Sequence, residues 1–241
     1  MKSKALIFVL VLIFVSLAAF FFIRPRVFMM KKAAEEYKRE IVKAFPFSEE
    51  NSLKEWEEKI FKGKVLYRIE KSQGLSYVRA TSDKSDSALY YKIKLNAKNK
   101  KTYIRWKWRV EKFPLKKGKE DLQTQEKDDF AARIYVIFPA AFFTNSKVLE
   151  YIWAETLPVG TLGTSPYSKN IKLIVLRSGP SKEWVSEVRD INEDYIKVFG
   201  RSPEYDIGAI AFMTNAEHTG TTADAMYDDI DIGYKEEGPK P

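Results

Sequence analysis

Residues 128–138 read DDFAARIYVIF and have the pattern of a strand with two different faces. One face is wholly apolar and comprises Phe130, Ala132, Ile134, Val136 and Phe138. The other face carries Asp129, Ala131, Arg133, Tyr135 and Ile137. Because side chains alternate along a strand, this pattern predicts one face on a core and the other towards solvent or a ligand.

About ten short runs of this kind follow one another through residues 64–234, separated by turns rich in Gly, Pro, Ser and Asn. The run 102–110 is the clearest, since Arg105, Lys107 and Arg109 alternate with large apolar residues. A single short helix is predicted over 190–199, ending at Gly200. Residues 112–127 are predicted to be a mobile polar loop. The pattern favours an all-β fold, an antiparallel β-sandwich or jelly roll resembling carbohydrate-binding modules.

An apolar segment precedes this body. Residues 5–23 contain no charged residue and match the length of a membrane-spanning helix. A cleaved signal peptide is the alternative, with Ser16-Leu17-Ala18 as its cleavage site. The predicted organisation is a membrane anchor or signal segment at 1–27, a juxtamembrane helix or linker at 28–47, the β-sandwich at 48–236 and a tail at 237–241. The domain is then expected in the periplasm or another extracytoplasmic space, anchored to the membrane or secreted.

Composition excludes several classes of site. The chain has no Cys and one His, His218, which rules out Cys-ligated zinc, a Cys nucleophile and a multi-His metal site within one chain. The net charge of +8 is concentrated in residues 1–45, which hold nine basic and three acidic residues. Because no nucleic-acid-binding motif accompanies this charge, no nucleic-acid partner is predicted. No Gly-rich phosphate loop follows a strand, so a nucleotide-dependent enzyme is not expected.

The candidate ligand-binding residues share one property, which is that each lies opposite an apolar face on its own strand. They are Arg105, Arg109, Asp129, Arg133, Tyr135, Glu187 and Arg189. If their strands are neighbours, these side chains form one polar surface suited to a glycan or another polar ligand. The alternative is a solvated outer face with cross-strand salt bridges. The tryptophans Trp106, Trp108, Trp153 and Trp184 are expected in the core rather than as stacking platforms.

The acidic residues leave three interpretations open. They can cap backbone groups at turns, or hold a structural calcium ion through Asp228 and Asp229, or act as a carboxylate-based hydrolase or lyase on cell-envelope polysaccharide. The enzyme interpretation requires at least two of five carboxylates in one cavity, namely Asp129, Glu187, Asp190, Asp194 and Asp229. No catalytic residue is assigned, and His218 is treated as a loop residue unless a carboxylate and a hydroxyl lie beside it. A structural module of an envelope assembly is the remaining possibility, and would expose a large apolar patch.

Several motifs occur in one order through the body. They are Arg105-Trp106-Lys107-Trp108, Asp128 to Val136, Tyr151-Ile152-Trp153-Ala154, Arg189-Asp190-Ile191 with Asp194-Tyr195 and Phe199-Gly200, and Tyr227-Asp228-Asp229-Ile230. Together they resemble the bacterial family known as domain of unknown function 3047, over roughly residues 55–232. The resemblance implies a secreted or envelope-anchored protein and brings no established activity. The loop 214–220 departs from the pattern, with Asn215 and Glu217 where the family has Asp, which puts any ion binding there in doubt.

Overall fold

The computed structural model describes residues 39–72 and 74–236 of the chain. Residues 40–235 form one compact unit of thirteen strands and one α-helix. The strands are β1 (Arg39–Phe45), β2 (Glu57–Lys62), β3 (Leu66–Ser72), β4 (Leu75–Asp83), β5 (Asp86–Leu95), β6 (Thr102–Lys112), β7 (Ala132–Phe138), β8 (Lys147–Ala154), β9 (Leu162–Ser165), β10 (Ser168–Ser178), β11 (Val185–Asp190), β12 (Ile207–Met213) and β13 (Thr222–Lys235). The helix is α1 (Ile191–Phe199), and short 3-10 turns lie at Glu50–Leu53, Gln125–Lys127 and Phe143–Asn145.

The strands form two sheets, which confirms the predicted β-sandwich. Sheet A has the order β3-β4-β13-β6-β11, and β1 also pairs with β13. Sheet B has the order β2-β5-β12-β7-β8-β10-β9. The prediction of a purely antiparallel fold is wrong at one place, because β10 runs parallel to β8.

The core lies between the two sheets and is rich in aromatic side chains. Trp106 and Trp108 of β6 face Tyr151 and Trp153 of β8, with ring centroids 5.4 Å and 5.6 Å apart across the sheets. Burial of a large apolar side chain contributes roughly 1.5–3 kcal/mol, so this layer is a major source of stability. These three tryptophans are core residues, as predicted.

A second, smaller core covers part of the outer face of sheet B. Leu122 and Phe130 pack there on Ile152, Leu173 and Val175. The covering segment is the connection between β6 and β7, which was predicted to be a mobile loop. It is instead pinned, because Lys116 and Glu120 form a buried ion pair of 2.5 Å. Phe130 therefore packs on the opposite side of sheet B from Ile134 and Val136, although the alternation placed all three on one face.

The helix α1 ends as its sequence predicts. The Asp190 side chain accepts a hydrogen bond of 2.9 Å from the backbone N–H of Glu193 at the helix start. Gly200 closes the helix in the left-handed conformation with φ of 74°, which Gly adopts without steric cost.

The predicted juxtamembrane helix is wrong over residues 39–45, which form the strand β1. Phe45 and Phe47 are buried in the main core, so this segment belongs to the sandwich. The proposed anchor at 1–27, the remainder of the linker up to residue 38 and the tail at 237–241 lie outside the described residues. Within the described part of the chain, no helix has the length and apolar character needed to cross a membrane.

Candidate functional site

The predicted polar surface is divided between the two sheets. The strands β6 and β11 are neighbours in sheet A, whereas β7 lies in sheet B. Arg105 and Arg109 are therefore separated from Arg133 and Tyr135 by the thickness of the core. The single seven-residue surface does not form, and two separate sets of polar side chains replace it.

The prediction for β11 is also wrong about which side chains face outwards. Glu187 pairs with Trp106, and Arg189 pairs with Ile104, so both share the side of the buried β6 residues. Glu187 is buried and accepts a hydrogen bond of 2.5 Å from Nε of Arg177. The outward residues of β11 are Ser186 and Val188, and Val188 is 44% exposed.

Arg189 likewise has a structural role at the rim of the sandwich. Its guanidinium donates hydrogen bonds of 2.8 Å and 2.5 Å to the two carboxylate oxygens of Asp194 on α1. The buried Asp194 also accepts a hydrogen bond of 2.9 Å from the Tyr151 hydroxyl of β8. Arg189 therefore ties α1 to both sheets, and its hydrogen bonds are used within the protein.

A groove opens on the outer face of sheet A, and Arg109 is one of its walls. Arg79 of β4 and Arg109 of β6 flank Met226 of β13 in one cross-strand row. The neighbours of Met226 in β13, Ala225 and Tyr227, lie in the core, so this row faces away from the core. The groove has a volume of about 470 Å³, and we call it the sheet A groove; it is lined by Ser72, Leu75, Tyr77, Arg79, Arg109, Glu111, Lys182, Glu183, Trp184 and Met226.

An aromatic pair lies in this groove. The ring centroids of Tyr77 and Trp184 are 5.4 Å apart with an interplanar angle of 63°, an edge-to-face contact. Trp184 is half-buried, whereas the prediction placed it in the core with the other tryptophans. It immediately precedes β11, where the chain enters the edge of sheet A, and its ring packs on Tyr77 of β4.

Ion pairs hold the charged walls of the groove in place. Arg79 donates to Asp224 through Nε, 3.0 Å from each carboxylate oxygen, and through its terminal nitrogen at 2.8 Å. Arg109 donates a hydrogen bond of 2.7 Å to Glu111 and thereby lowers the pKa of that carboxyl group. The hydrogen bonds with Asp224 raise the pKa of Arg79, so its charge is retained at any working pH.

The acidic residues of β13 lie along the same outer face. Asp228 pairs in register with Lys107, and Asp229 forms an ion pair of 2.7 Å with Lys107. Asp229 has a positive φ of 46° at the bulge in β13, and burial raises the pKa of Asp228 to about 6. Arg105 completes this row through an ion pair with Asp231. Across residues 39–72 and 74–236, no three His, Asp or Glu side chains gather as a metal site, so the predicted calcium ion gains no support.

Arg133 lies in a separate group of polar side chains on sheet B. We call this group the sheet B polar cluster; it comprises Asp86, Asp128, Asp129, Arg133, Tyr135, Glu150, Tyr167, Glu217 and His218. Arg133 is buried, and its guanidinium donates to Glu150 at 2.8 Å, to the Tyr135 hydroxyl at 3.2 Å and to the backbone carbonyl of Asp128. Burial raises the pKa of Glu150, and the guanidinium of Arg133 opposes this change. Arg133 therefore binds its own protein and is not available to a ligand.

His218 lies beside carboxylates and a hydroxyl in the same cluster. Its Nδ1 is 2.9 Å from Oε2 of Glu217 and 3.5 Å from Oδ1 of Asp129. Its Nε2 shares a hydrogen bond with the hydroxyl of Tyr167. Because His218 and Asp129 are 89 positions apart and Tyr167 lies between them in a turn, the sequence pattern contains no local signal for this contact. The only sequence feature that pointed to this contact was the single histidine, which follows Glu217 directly in the chain.

The five acids proposed for a hydrolase or lyase do not share the sheet A groove. Asp190 caps α1 and forms an ion pair with Lys235, and Asp194 holds Arg189. Asp129 lies in the sheet B polar cluster, and Glu187 is bound to Arg177. The carboxylates that do line the groove are Glu111 and Glu183, which the sequence analysis did not single out.

Comparison with solved structures finds chains that resemble this one weakly over most of their length. An endoglucanase from Rhodothermus marinus is 10% identical, with a TM-score of 0.43 over 74% of this chain and 95% of that chain. A xyloglucanase domain of a type three effector from Sinorhizobium fredii is 12% identical, with a TM-score of 0.43 over 75% of this chain and 93% of its own. A mannan-recognising carbohydrate-binding module is 9% identical, with a TM-score of 0.37 over 83% and 99% of the two chains. At these low values the likeness carries no inference about this chain.

No curated protein matches the chain. A family model described as "Protein of unknown function (DUF3047)" matches residues 54–231. The matched region runs from the start of β2 to the bulge of β13 and so includes both sets of polar side chains. The ordered motifs of the body predicted this assignment, and the chain belongs to the DUF3047 family.

Proposed function

We propose that the domain binds a glycan, or a similarly hydroxyl-rich polar ligand, in the sheet A groove. The observation that carries the proposal is the half-buried Trp184, which packs on Tyr77 in a groove that Arg79 and Arg109 also line. The groove volume of about 470 Å³ is within the range of sites that take small ligands or a short segment of a polymer.

The chemistry of the groove matches the two surfaces of a sugar ring. A pyranose has an apolar face of C–H groups, which packs on an aromatic ring such as that of Trp184. Its rim carries hydroxyl groups, which accept hydrogen bonds from Arg109 and donate them to Glu111. A groove with one aromatic platform and donors and acceptors on either side therefore suits a carbohydrate better than it suits an apolar ligand.

The groove is held in one arrangement before any ligand binds. Asp224 fixes Arg79 by accepting hydrogen bonds from its Nε and one terminal nitrogen, and Glu111 fixes Arg109. Met226 fills the space between the two arginines and is itself buried. A site whose side chains are already ordered loses less conformational entropy on binding, which favours affinity.

Trp184→Ala tests the proposal directly. Full-length protein in mild detergent is run on a panel of affinity gels, each containing one neutral or acidic polysaccharide. We expect at least one of these gels to retain the protein. The Trp184→Ala variant should lose about tenfold in affinity, because truncation of a central aromatic contact in a site costs more than about 1 kcal/mol. Arg109→Ala should weaken binding as well, since it removes hydrogen-bond donors from the same wall.

Phe142→Ala is the matched control, because Phe142 is an aromatic side chain that is 75% exposed and does not line the groove. It should bind like the wild type. Thermal unfolding of each variant separates lost binding from lost folding. Equal retention of the wild type and a folded Trp184→Ala variant on every polysaccharide, or no retention of the wild type at all, would refute glycan binding in this groove.

A further inference from the structure

The contact between Tyr167 and His218 has the arrangement of a catalytic triad. A hydroxyl group is hydrogen-bonded to Nε2 of an imidazole, and carboxylates lie beside Nδ1 of the same ring. A nucleophile within reach of a base, with the base oriented by a third group, is the general signature of covalent catalysis. Here Tyr167 holds the place of the nucleophile and His218 that of the base.

Asp129 is held firmly in the orienting position. Its Oδ1 accepts a hydrogen bond of 2.7 Å from the Asn215 amide, and its Oδ2 accepts one of 2.7 Å from the backbone N–H of Thr219. The Asp129 side chain is fully buried, so the carboxylate cannot turn away from the loop that carries His218. This loop is thereby fixed to the start of β7.

The neighbouring carboxylates determine which nitrogen of the His218 ring carries the proton. Nδ1 is buried and makes no aligned hydrogen bond, yet it lies 2.9 Å from Glu217 and 3.5 Å from Asp129. Negative charge on that side favours the tautomer with its proton on Nδ1. Nε2 is then free to accept the proton of the Tyr167 hydroxyl.

Tyr167 is the accessible member of the three. It lies in the turn between β9 and β10, and 52% of its surface is exposed. A ligand from solution can therefore reach its hydroxyl, whereas Asp129 is closed off. From the surface to the interior, the three residues are the exposed Tyr167, the half-buried His218 and the buried Asp129.

We propose that Tyr167 is a nucleophile for acyl transfer from carboxylic esters, with His218 as its general base. The Tyr167 oxygen attacks the ester carbonyl carbon as its proton moves to Nε2 of His218. The carbonyl–alkoxy bond then breaks, and the imidazolium returns the proton to the departing alcohol. Water then attacks the acyl carbonyl carbon and gives a proton to Nε2 of His218. The bond between that carbon and the Tyr167 oxygen breaks, the carboxylic acid is released, and the imidazolium returns the proton to the phenolate.

The surroundings of Tyr167 indicate the class of ester. Burial and the carboxylates of Asp128 and Glu217 raise the pKa of Tyr167 to about 12, so the phenol stays protonated until a base removes its proton during the attack. The same negative charge repels anionic substrates and therefore favours neutral esters such as O-acetyl groups. An acyl-tyrosine is an aryl ester, and its phenolate leaves readily when water attacks, so the intermediate can turn over. The same property opposes its formation from an alkyl ester, so acylation requires the His218 imidazolium to protonate the alcohol as it departs.

The probe for this proposal is p-nitrophenyl acetate, used with the full-length protein in mild detergent. We expect the wild type to hydrolyse it at least about tenfold faster than Tyr167→Phe, since a positioned base of this kind contributes about a hundredfold or more. His218→Ala should be as slow as Tyr167→Phe. After subtraction of the hydrolysis that imidazole catalyses without protein, added imidazole should restore the rate in His218→Ala and add nothing in Tyr167→Phe, a result that a purely structural histidine would not give.

Tyr90→Phe is the matched control, because the Tyr90 hydroxyl also lies on sheet B but bonds to Glu57 instead of an imidazole. It should hydrolyse the ester as the wild type does. Mass spectrometry after acid quenching should find the acetyl group on Tyr167. Equal rates for the wild type and Tyr167→Phe, or acetylation at other residues alone, would overturn the proposal. Either result leaves glycan binding in the sheet A groove untouched, since the two sites share no residue.

Discussion

Arg133 shows how a residue that looks outward-facing can become part of a core. It lies opposite Ile134 and Val136 on β7, as the alternation predicted, yet it is almost fully buried. The segment between β6 and β7 covers it, with Phe130 4.8 Å from its guanidinium. A local pattern of alternation determines which face a side chain shares, but the cover over that face comes from elsewhere in the chain.

Arg133→Met is expected to destabilise the protein by about 3–5 kcal/mol, because it leaves Glu150 as a buried carboxylate without its partner. Urea unfolding at pH 7 measures the loss. The double variant Arg133→Met, Glu150→Gln should recover part of the lost stability, because it removes the buried Glu150 carboxylate that has no partner.

Arg201→Met is the control for this prediction. Arg201 is exposed and pairs with Glu204 at 3.1 Å on the surface, where an ion pair is worth about 0–1 kcal/mol. A loss of less than about 1 kcal/mol for Arg133→Met as well would show that Arg133 is not the buried anchor described above.

At the scale of the element, β1 and β11 differ most from expectation. Ala34, Tyr37, Ile41 and Phe45 have helical spacing, but residues 39–45 pair with β13 and bury Phe45 beside Trp56. Tertiary pairing outweighs a weak local period when it buries an aromatic side chain. In β11 the alternation was recognised, yet no property of its own six residues identifies which side meets the core. The register of β11 against β6, which places Glu187 opposite Trp106, determines which side of β11 faces the core.

Gly233 allows β1 to approach β13 closely. A Cβ atom added at this position would lie 2.0 Å from the backbone oxygen of Glu40, so a side chain there must push β1 away. We expect Gly233→Ala to destabilise the domain by about 1–3 kcal/mol, the usual cost of overpacking. Hydrogen exchange should show lost amide protection confined to residues 40–45.

Gly118→Ala serves as its control, because an added Cβ at Gly118 meets no atom within 4 Å, although its φ of 72° strains any substitution there. Protection of residues 40–45 should not change in that variant. Unchanged protection in Gly233→Ala would mean that β1 does not depend on this close approach.

At the scale of the whole molecule, the fold class could be predicted and the partners of each strand could not. Period-two alternation along residues such as 102–110 indicates strands, and many short strands with one helix indicate a sandwich. Strand pairing could not be predicted, because strands that are far apart in the chain lie side by side. β4 lies beside β13, for example, with Ala80 opposite Ala225. Without the strand pairing, the sequence could not show that Arg109 and Arg133 belong to different sheets. Nor could it show that Tyr77 and Arg79 of β4 lie in the same groove as Arg109.

Two partly buried acids give the whole protein an unusual pH dependence. Burial raises the pKa of Asp86 and of Asp228 to about 6 each, whereas an unfolded Asp titrates near 3.9. Between these values the folded state binds more protons than the unfolded state. The free energy of unfolding therefore falls as the pH rises through this window.

We expect the protein to be more stable at pH 5 than at pH 7, by about 1–3 kcal/mol after allowance for water access to Asp86. Below about pH 4.5 the trend should reverse, as carboxylates with a lowered pKa such as Glu111 lose their ion pairs. Chemical unfolding at both pH values measures the difference.

The double variant Asp86→Asn, Asp228→Asn should reduce the difference between pH 5 and pH 7, and Glu150, whose pKa burial also raises, accounts for the part that remains. Asp83→Asn is the control, since Asp83 is exposed at the end of β4 and should leave the difference intact. A wild type that is equally stable at the two pH values, or a double variant that keeps the full wild-type difference, would contradict this account.

The position of β13 in sheet A has a consequence for biosynthesis. β13 pairs with β4, β6 and β1, and so lies between the strands that it joins. It is also the last of the thirteen strands to leave the ribosome. While the chain is being made, β4 and β6 have exposed edges and the tryptophans of β6 have an incomplete cover, a state that invites aggregation. Closure of the sandwich therefore follows synthesis of residue 235.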